Sequence, residues 1–247
     1  MIIQNTKYVI HYPKICNLRR KAIEIEECLK DFFPLGANIL PIPEEAPADL
    51  PRLNFVSRYG HSMLNISLVN AQLLTSYDDK FNKSWDQCFD YLDKRIKAIN
   101  NLIRERLESE FLFSGLTTEV LFDEFSDVDP IKTFKNKFIK CESSQIPFEL
   151  GFKATFEKDK CYFINFNFAN VRIYENVNAL TMPPSLFESI EKHHWLGVMI
   201  DINDKFGFNY TKNYRSSYEK TSEILKITND FISGKLLGII KEGRLEV

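Results

Sequence analysis

The sequence predicts an α+β fold, an antiparallel sheet with long amphipathic helices packed on one face. Two observations carry that prediction. Strand candidates come in pairs joined by short polar turns, a connection that antiparallel neighbours can use and parallel ones cannot. The helix candidates are few and strongly striped. With 44% apolar residues in 247, and 21 Phe against only 9 Gly, the chain can bury a large core. It reads as one compact unit over 1–247 with two similar halves, 1–108 and 109–247.

Lys7 to Tyr12 is a strand ended by Pro13. Asn17 then caps a helix whose stripe is Leu18, Ala22, Ile25, Leu29 and Phe32, three and four apart, stopped by Pro34 and Gly36. Pro41, Pro43, Pro47 and Pro51 punctuate an acidic linker that suits neither helix nor central strand. Arg52 to Arg58 and Met63 to Tyr77 form a hairpin turning at Tyr59-Gly60-His61, with Leu64, Ile66 and Leu68 alternating with Asn65 and Ser67. From Ser84 to about Leu107 runs the longest helix, opened by a Ser84/Gln87 capping box and striped by Trp85, Cys88, Phe89, Leu92, Ile96, Ile99 and Ile103.

The second half repeats this grammar. Phe111 to Phe125 is extended, and Asp129-Pro130 opens a short helix with proline in its first turn. Phe148 to Phe156 and Cys161 to Tyr174 make a hairpin over Glu157 to Lys160. A short helix with a Ser185/Glu188 capping box follows, then a strand through Leu196, Val198, Ile200 and Ile202. The last helix starts at a Ser216/Glu219 capping box and weakens at Gly234. Asp-Lys-Phe precedes the final helix of each half, at Asp79 to Phe81 and Asp204 to Phe206, which suggests internal duplication.

A formal charge of −2 gives no protein-wide field for nucleic acid or an anionic membrane, so a protein or small-molecule partner is favoured. No window has the apolar length of a membrane span, and the N-terminus lacks a signal-peptide pattern. Cys16, Cys28, Cys88, Cys141 and Cys161 are odd in number, scattered, and never in a C-x-x-C pair, which suits a reducing cytoplasm and buried thiols. Phosphate loops and nucleophile elbows have no counterpart here, and no cofactor is expected.

Four residues are candidates for catalysis by a site built from distant positions, His61, Glu149, His194 and Asp201. A local dyad is excluded on a strand, because His194 and Asp201 point to opposite faces, while His193 lies about eight rises of roughly 3.3 Å from Asp201. Asp201, Asn203 and Asp204 do not make a calcium loop, since Phe206 and Lys212 occupy the required Gly and Glu positions; Asn-Asp reads as a turn and no metal is expected.

Candidate binding residues fall in three groups. Lys132 and Lys135, with Lys137 and Lys140, form a basic helix, most simply a solvated face. Phe206, Phe208 and Tyr210 alternate on a strand and are followed by Lys212, Tyr214 and Arg215, a mixture able to stack bases or anchor a protein. Asn165 and Asn167 alternate with Phe166 and Phe168 as a polar strand face, solvated or recognising. Five phenylalanines precede Ser109 and sixteen follow it, which directs the search for a groove to the second half.

Pro51 to Ser57, Gly60, Leu64, Ile66-Ser67 and the capped start at Ser84-Trp85 resemble an uncharacterised, sporadically distributed bacterial family of about this length, whose members sit among mobile or defence genes. The resemblance implies an intracellular accessory role and carries no catalytic residues. The expectation is a non-enzymatic, cytoplasmic binding protein for a macromolecular partner, of antitoxin, immunity or phage-defence type. The alternatives are an enzyme acting on nucleic acid or nucleotides, and direct nucleic-acid binding through the Lys132 to Lys140 helix and the Phe206 to Arg215 segment.

Overall fold

The computed structural model describes residues 1–123, 129–138, 145, 147–174 and 191–245. Among the described residues the nine strands are β1 (Ile2–His11), β2 (Ala37–Ile39), β3 (Pro51–Val56), β4 (Ser62–Ser67), β5 (Asn70–Ser76), β6 (Phe113–Phe122), β7 (Gly151–Lys158), β8 (Tyr162–Tyr174) and β9 (Glu191–Asn203). They form one antiparallel sheet in the order β2-β3-β4-β5-β1-β6-β9-β8-β7. The helices are α1 (Ala22–Leu29), α2 (Trp85–Asn101), α3 (Pro130–Lys137), α4 (Lys205–Tyr210), α5 (Tyr218–Asp230) and α6 (Leu236–Glu242). The protein is therefore an α+β fold, and none of the described helices is long and apolar enough to cross a membrane.

From the central pair outward, the order β1-β5-β4-β3 on one side matches β6-β9-β8-β7 on the other. Tyr8 faces Leu116, with Lys7 opposite Thr117 and Val9 opposite Gly115. Tyr8 also pairs with Leu73 of β5, as Leu116 pairs with Ile202 of β9. One hydrophobic cluster runs beneath both halves, from Leu18 and Phe55 to Phe168 and Phe231.

Local chemistry accounts for the helices. The Ser84 side chain accepts from the Gln87 amide, and Trp85, Cys88, Leu92, Ile96 and Ile99 are buried on one stripe of α2. Asp90–Lys94 and Asp93–Lys97 pairs, both 2.6 Å, lace its solvent side. Both long helices widen into a π turn, Leu102–Arg106 after α2 and Phe231–Lys235 after α5. Leu102, Ile103 and Leu107 are buried in and just after the first, as are Phe231, Ile232 and Leu236 at the second. The weakening expected at Gly234 is this π turn.

Several sequence expectations are corrected. Asn17 adopts a left-handed conformation (φ 60°) and makes no side-chain cap; a 3₁₀ turn over Leu18–Lys21 leads into α1 instead. The run from Met63 to Tyr77 is two strands, because Ser67 folds back on itself, its hydroxyl accepting from the amides of Val69 and Asn70. Ser217, not Ser216, caps α5, accepting from the Lys220 amide. The strand expected through Leu196 to Ile202 begins earlier, at Glu191, so His193 and His194 lie inside β9. The stretch Phe206 to Tyr210 is helical: its period-two aromatics also satisfy a helix, where Phe206 and Tyr210 are four apart and their rings lie 4.7 Å apart. Cys141, Lys140, Phe125 and the helix expected at Ser185 to Glu188 lie outside the described residues.

The proline-rich linker is held by Arg52, which is fully buried. Its guanidinium donates to the carbonyls of Leu50 (2.7 Å), Ala46 (3.1 Å), Pro43 (3.2 Å) and Pro47 (3.4 Å). Prolines remove amide donors but leave carbonyls, and one planar fork satisfies several of them.

Candidate functional site

The sheet carries one continuous polar row across four strands. Thr155 of β7 donates to Asn165 of β8 (2.8 Å), and Asn165 donates to the Asp201 carboxylate of β9 (2.9 Å), which also accepts from Thr117 of β6 (3.2 Å). Asn203 is a third donor to the Asp201 carboxylate, at 2.8 Å. Register produces the row, since Thr155, Asn165, Asp201 and Thr117 face one another in successive pairs. Their neighbours along each strand, Phe166 and Ile200 among them, are buried on the opposite side. The same parity continues through Lys7 and Gln72 to Asn65 and Asn54, the last two bonded at 2.8 Å. Asn5 donates to Glu119 at 2.8 Å one row further along.

At the centre of this face lies a shallow depression of about 250 Å³ lined by Lys7, His11, Gln72, Thr117, Asp201 and Lys205. His11 stacks on Phe113 with ring centroids 4.1 Å apart, and the Lys205 ammonium stands 5.1 Å from the same ring. Burial first, and the Lys205 cation second, lower the His11 pKa to about 4. His11 is thus neutral at pH 7. Between its ordinary 6.5 and about 4 the unfolded chain takes up a proton that the folded chain refuses, so stability falls as the pH drops through that window. Urea midpoints measured from pH 7 to 4 should decline, and His11→Phe should flatten part of that decline; an unchanged slope would remove His11 from the account.

The four residues considered for catalysis are not gathered. His194 and Asp201 lie on opposite faces of β9, as alternation requires. His61 sits at the β3–β4 turn, with Nε2 3.7 Å from Asp78 Oδ2, and β4 is four strand spacings, about 19 Å, from β9. His194 contacts Asn170 at 3.2 Å, and burial together with Arg172 lowers its pKa. Glu149 is exposed just before β7.

The aromatic and cationic segment is also divided. Phe206 packs on Phe163 (5.3 Å) and Phe208 on Phe113 (5.0 Å), while Tyr210 and Lys212 are exposed at the rim. Tyr214 turns inward, its hydroxyl donating to Asp204 at 2.8 Å, and Arg215 pairs with Glu110 at 2.9 Å. Only glycine fits at Gly207, because a Cβ there would stand 2.4 Å from the Tyr214 ring. Lys132 is exposed and Lys135 half-buried on α3, and Lys137 donates to the Lys241 carbonyl at 2.6 Å, closing the end of α6. α3 follows β6 in the chain and α4 follows β9.

The phenylalanine surplus of the second half is largely core. Phe138, Phe152, Phe168, Phe166 and Phe231 form one chain of ring contacts with centroids 5.2 to 5.9 Å apart. Asn167 remains exposed on the polar face, opposite Met199. Among the described residues, no group of three or more His, Cys, Asp or Glu is placed to hold a metal ion. Fold and face together describe an antiparallel α+β protein with a wide polar sheet surface. Comparison with protein-family models, and with curated proteins, finds no match to this chain.

Proposed function

We propose that this chain is a non-enzymatic binding protein that recognises a macromolecular partner, most simply a protein, with the polar sheet face as its contact surface. The observation that carries the reading is the asymmetry of the sheet. Tyr8 donates to Asn100 at the end of α2, Ser114 bonds Thr221 of α5, and Phe33, just past α1, packs on Phe55 of β3, so the long helices lie against side chains of one parity. The other parity bears the Thr155-Asn165-Asp201-Thr117 row, with α4 resting on its Phe113 and Phe163 end through Phe208 and Phe206. Hydrogen-bonded polar side chains fixed on strands are preorganised, which lowers the ordering cost of binding.

Charge favours a protein over a nucleic acid. On the polar face Lys7, Lys153 and Lys205 are balanced by Glu119, Asp201 and Glu157, whereas phosphate binding depends on accumulated cations. The scattering of His61, Glu149, His194 and Asp201 supports a binding rather than a catalytic role. We also infer an internal duplication, from the matching strand order and the paired π turns. The resemblance of the first half to a family found among defence genes supports an accessory, intracellular role of antitoxin, immunity or phage-defence kind.

Capture from the native host with wild-type protein, with Thr117→Arg/Asn167→Arg, and with Lys94→Glu/Lys97→Glu on α2 tests the proposal. A partner held by wild type and by the helix variant should be lost from the sheet variant, whose melting temperature should stay within a few degrees. A partner retained by the sheet variant, or binding that requires nucleic acid, would remove the reading.

A further inference from the structure

Away from the polar face, a cavity of about 470 Å³ opens between the end of α1, the β3–β4 turn, the end of β5 and α2. Its walls include Phe32, Tyr59, Tyr77 and Tyr91, and its polar groups include Arg95 and His61. That size and mixture are usual for small-molecule sites. Tyr91 is held in place, its hydroxyl 2.9 Å from Ser62 Oγ, which lies 3.1 Å from Thr75 Oγ1.

Arg95 is the unusual member. Its guanidinium carbon stands 3.4 Å from the Tyr91 ring centroid and 5.3 Å from that of Phe32. Nη1 donates to the Tyr91 carbonyl at 3.2 Å, and Nε is buried with no hydrogen-bond partner. Among the described residues it forms no ion pair with a carboxylate. A guanidinium carries five donors and is costly to bury without a counter-charge. Stacking occupies the faces of the guanidinium and leaves its edge, the geometry that accepts an oxyanion through parallel hydrogen bonds. Asp31 and Asp78 also line the cavity, as does Arg58, so the two carboxylates and two guanidiniums balance and a single negative charge seated on Arg95 is favoured over several.

The corresponding corner of the second half, between the β7–β8 turn and the end of β9, is filled. There α4 and Tyr214 close on Cys161, with the Gly207 amide donating to its carbonyl at 2.9 Å and the Tyr214 hydroxyl 3.5 Å from its sulfur. In the first half the equivalent corner is open and holds Arg95.

We propose that this cavity binds a small monoanionic ligand, an aromatic or apolar body bearing one carboxylate, sulfonate or similar oxyanion, with Arg95 as its charge partner and the Tyr91 and Phe32 rings as its walls. The site is independent of the sheet face.

The probe is 8-anilinonaphthalene-1-sulfonate, titrated by fluorescence against the folded chain, with the neutral N-phenyl-1-naphthylamine as its comparison. A single saturable site is expected. Arg95→Gln should weaken the sulfonate by about tenfold or more, the scale of a lost charge-assisted hydrogen bond, and change the neutral probe far less. Pro34→Trp, at an exposed position on the cavity wall that leaves Arg95 intact, should weaken both and keeps the test open if Arg95→Gln fails to fold. No saturable binding to wild type, equal losses of both probes in Arg95→Gln, or unchanged binding in Pro34→Trp would each overturn the proposal.

Discussion

Replacing Asp204 by Ala is expected to lower folding stability by about 3 kcal/mol, the scale of removing one member of a buried, fully bonded polar cluster. Asp204 is fully buried directly after β9. One carboxylate oxygen accepts from the Ser114 amide at 2.6 Å, and the other accepts from the hydroxyls of Tyr214 (2.8 Å) and Ser216. It therefore ties the start of β6, the start of α4 and the entry to α5 at one point. Alanine leaves an amide and two hydroxyls without their acceptor, while Asp204→Asn keeps one acceptor oxygen and should recover about half of the loss. Urea unfolding of the two variants checks the difference, and equal stability of Ala and wild type would show that the cluster is not structural.

The same residue imposes a pH dependence. Burial outweighs the hydrogen bonds and raises its pKa above the ordinary 3.8. The folded chain then holds the proton longer than the unfolded chain, so this contribution to stability is full below pH 3.8 and declines as pH rises through the folded value. Its sign is opposite to that of His11. Asp204→Asn should remove the Asp204 part and leave the loss between pH 6.5 and 4 in place.

Arg52→Ala should cost a similar amount, about 3 kcal/mol, because four carbonyl contacts and the packing of a buried side chain disappear together. Its local effect is more diagnostic. Pro43, Ala46, Pro47 and Leu50 share that one guanidinium, so the loop over 43–50 should come loose while the sheet persists. Glu44 and Glu45 lie in that loop, and a glutamyl endopeptidase should cut there many times faster in the variant. Arg52→Lys should rescue only partly, since an ammonium cannot fork among separated carbonyls. Unchanged cleavage would mean that the prolines and the Arg19 contacts to Leu40, Ile42 and Glu44 fix the loop without Arg52.

How far the sequence anticipates the fold depends on how long each pattern runs. The α2 stripe from Trp85 to Ile103 spans five turns and is unambiguous, and paired strands with polar turns give the antiparallel hairpins. Six residues from Lys205 to Tyr210 are too few to separate period two from a four-residue spacing, so α4 reads as a strand. The break at Leu68-Val69 carries no Gly or Pro, and its turn depends on the Ser67 hydroxyl. Of the candidate site residues, Asn165 and Asp201 are brought together because cross-strand register pairs them, which no local spacing reveals. Asn167 and Lys132 stay exposed, while Tyr214 and Phe206 serve packing. Arg95 escapes notice because it adjoins the charged side of α2. The one local clue is Tyr91 four residues earlier, a pair belonging neither to the buried stripe nor to the solvent face.

The polar sheet face as a partner surface is tested most directly by hydroxyl-radical footprinting of the isolated chain and of its complex with the captured partner. Met199 and Trp195 lie on the polar face by the alternation of β9, while Ile23 and Phe81 are exposed elsewhere. Oxidation of Met199 and Trp195 should fall several-fold in the complex, with Ile23 and Phe81 unchanged. Protection of Ile23 or Phe81 with Met199 and Trp195 still oxidised at the free rate would contradict the assignment.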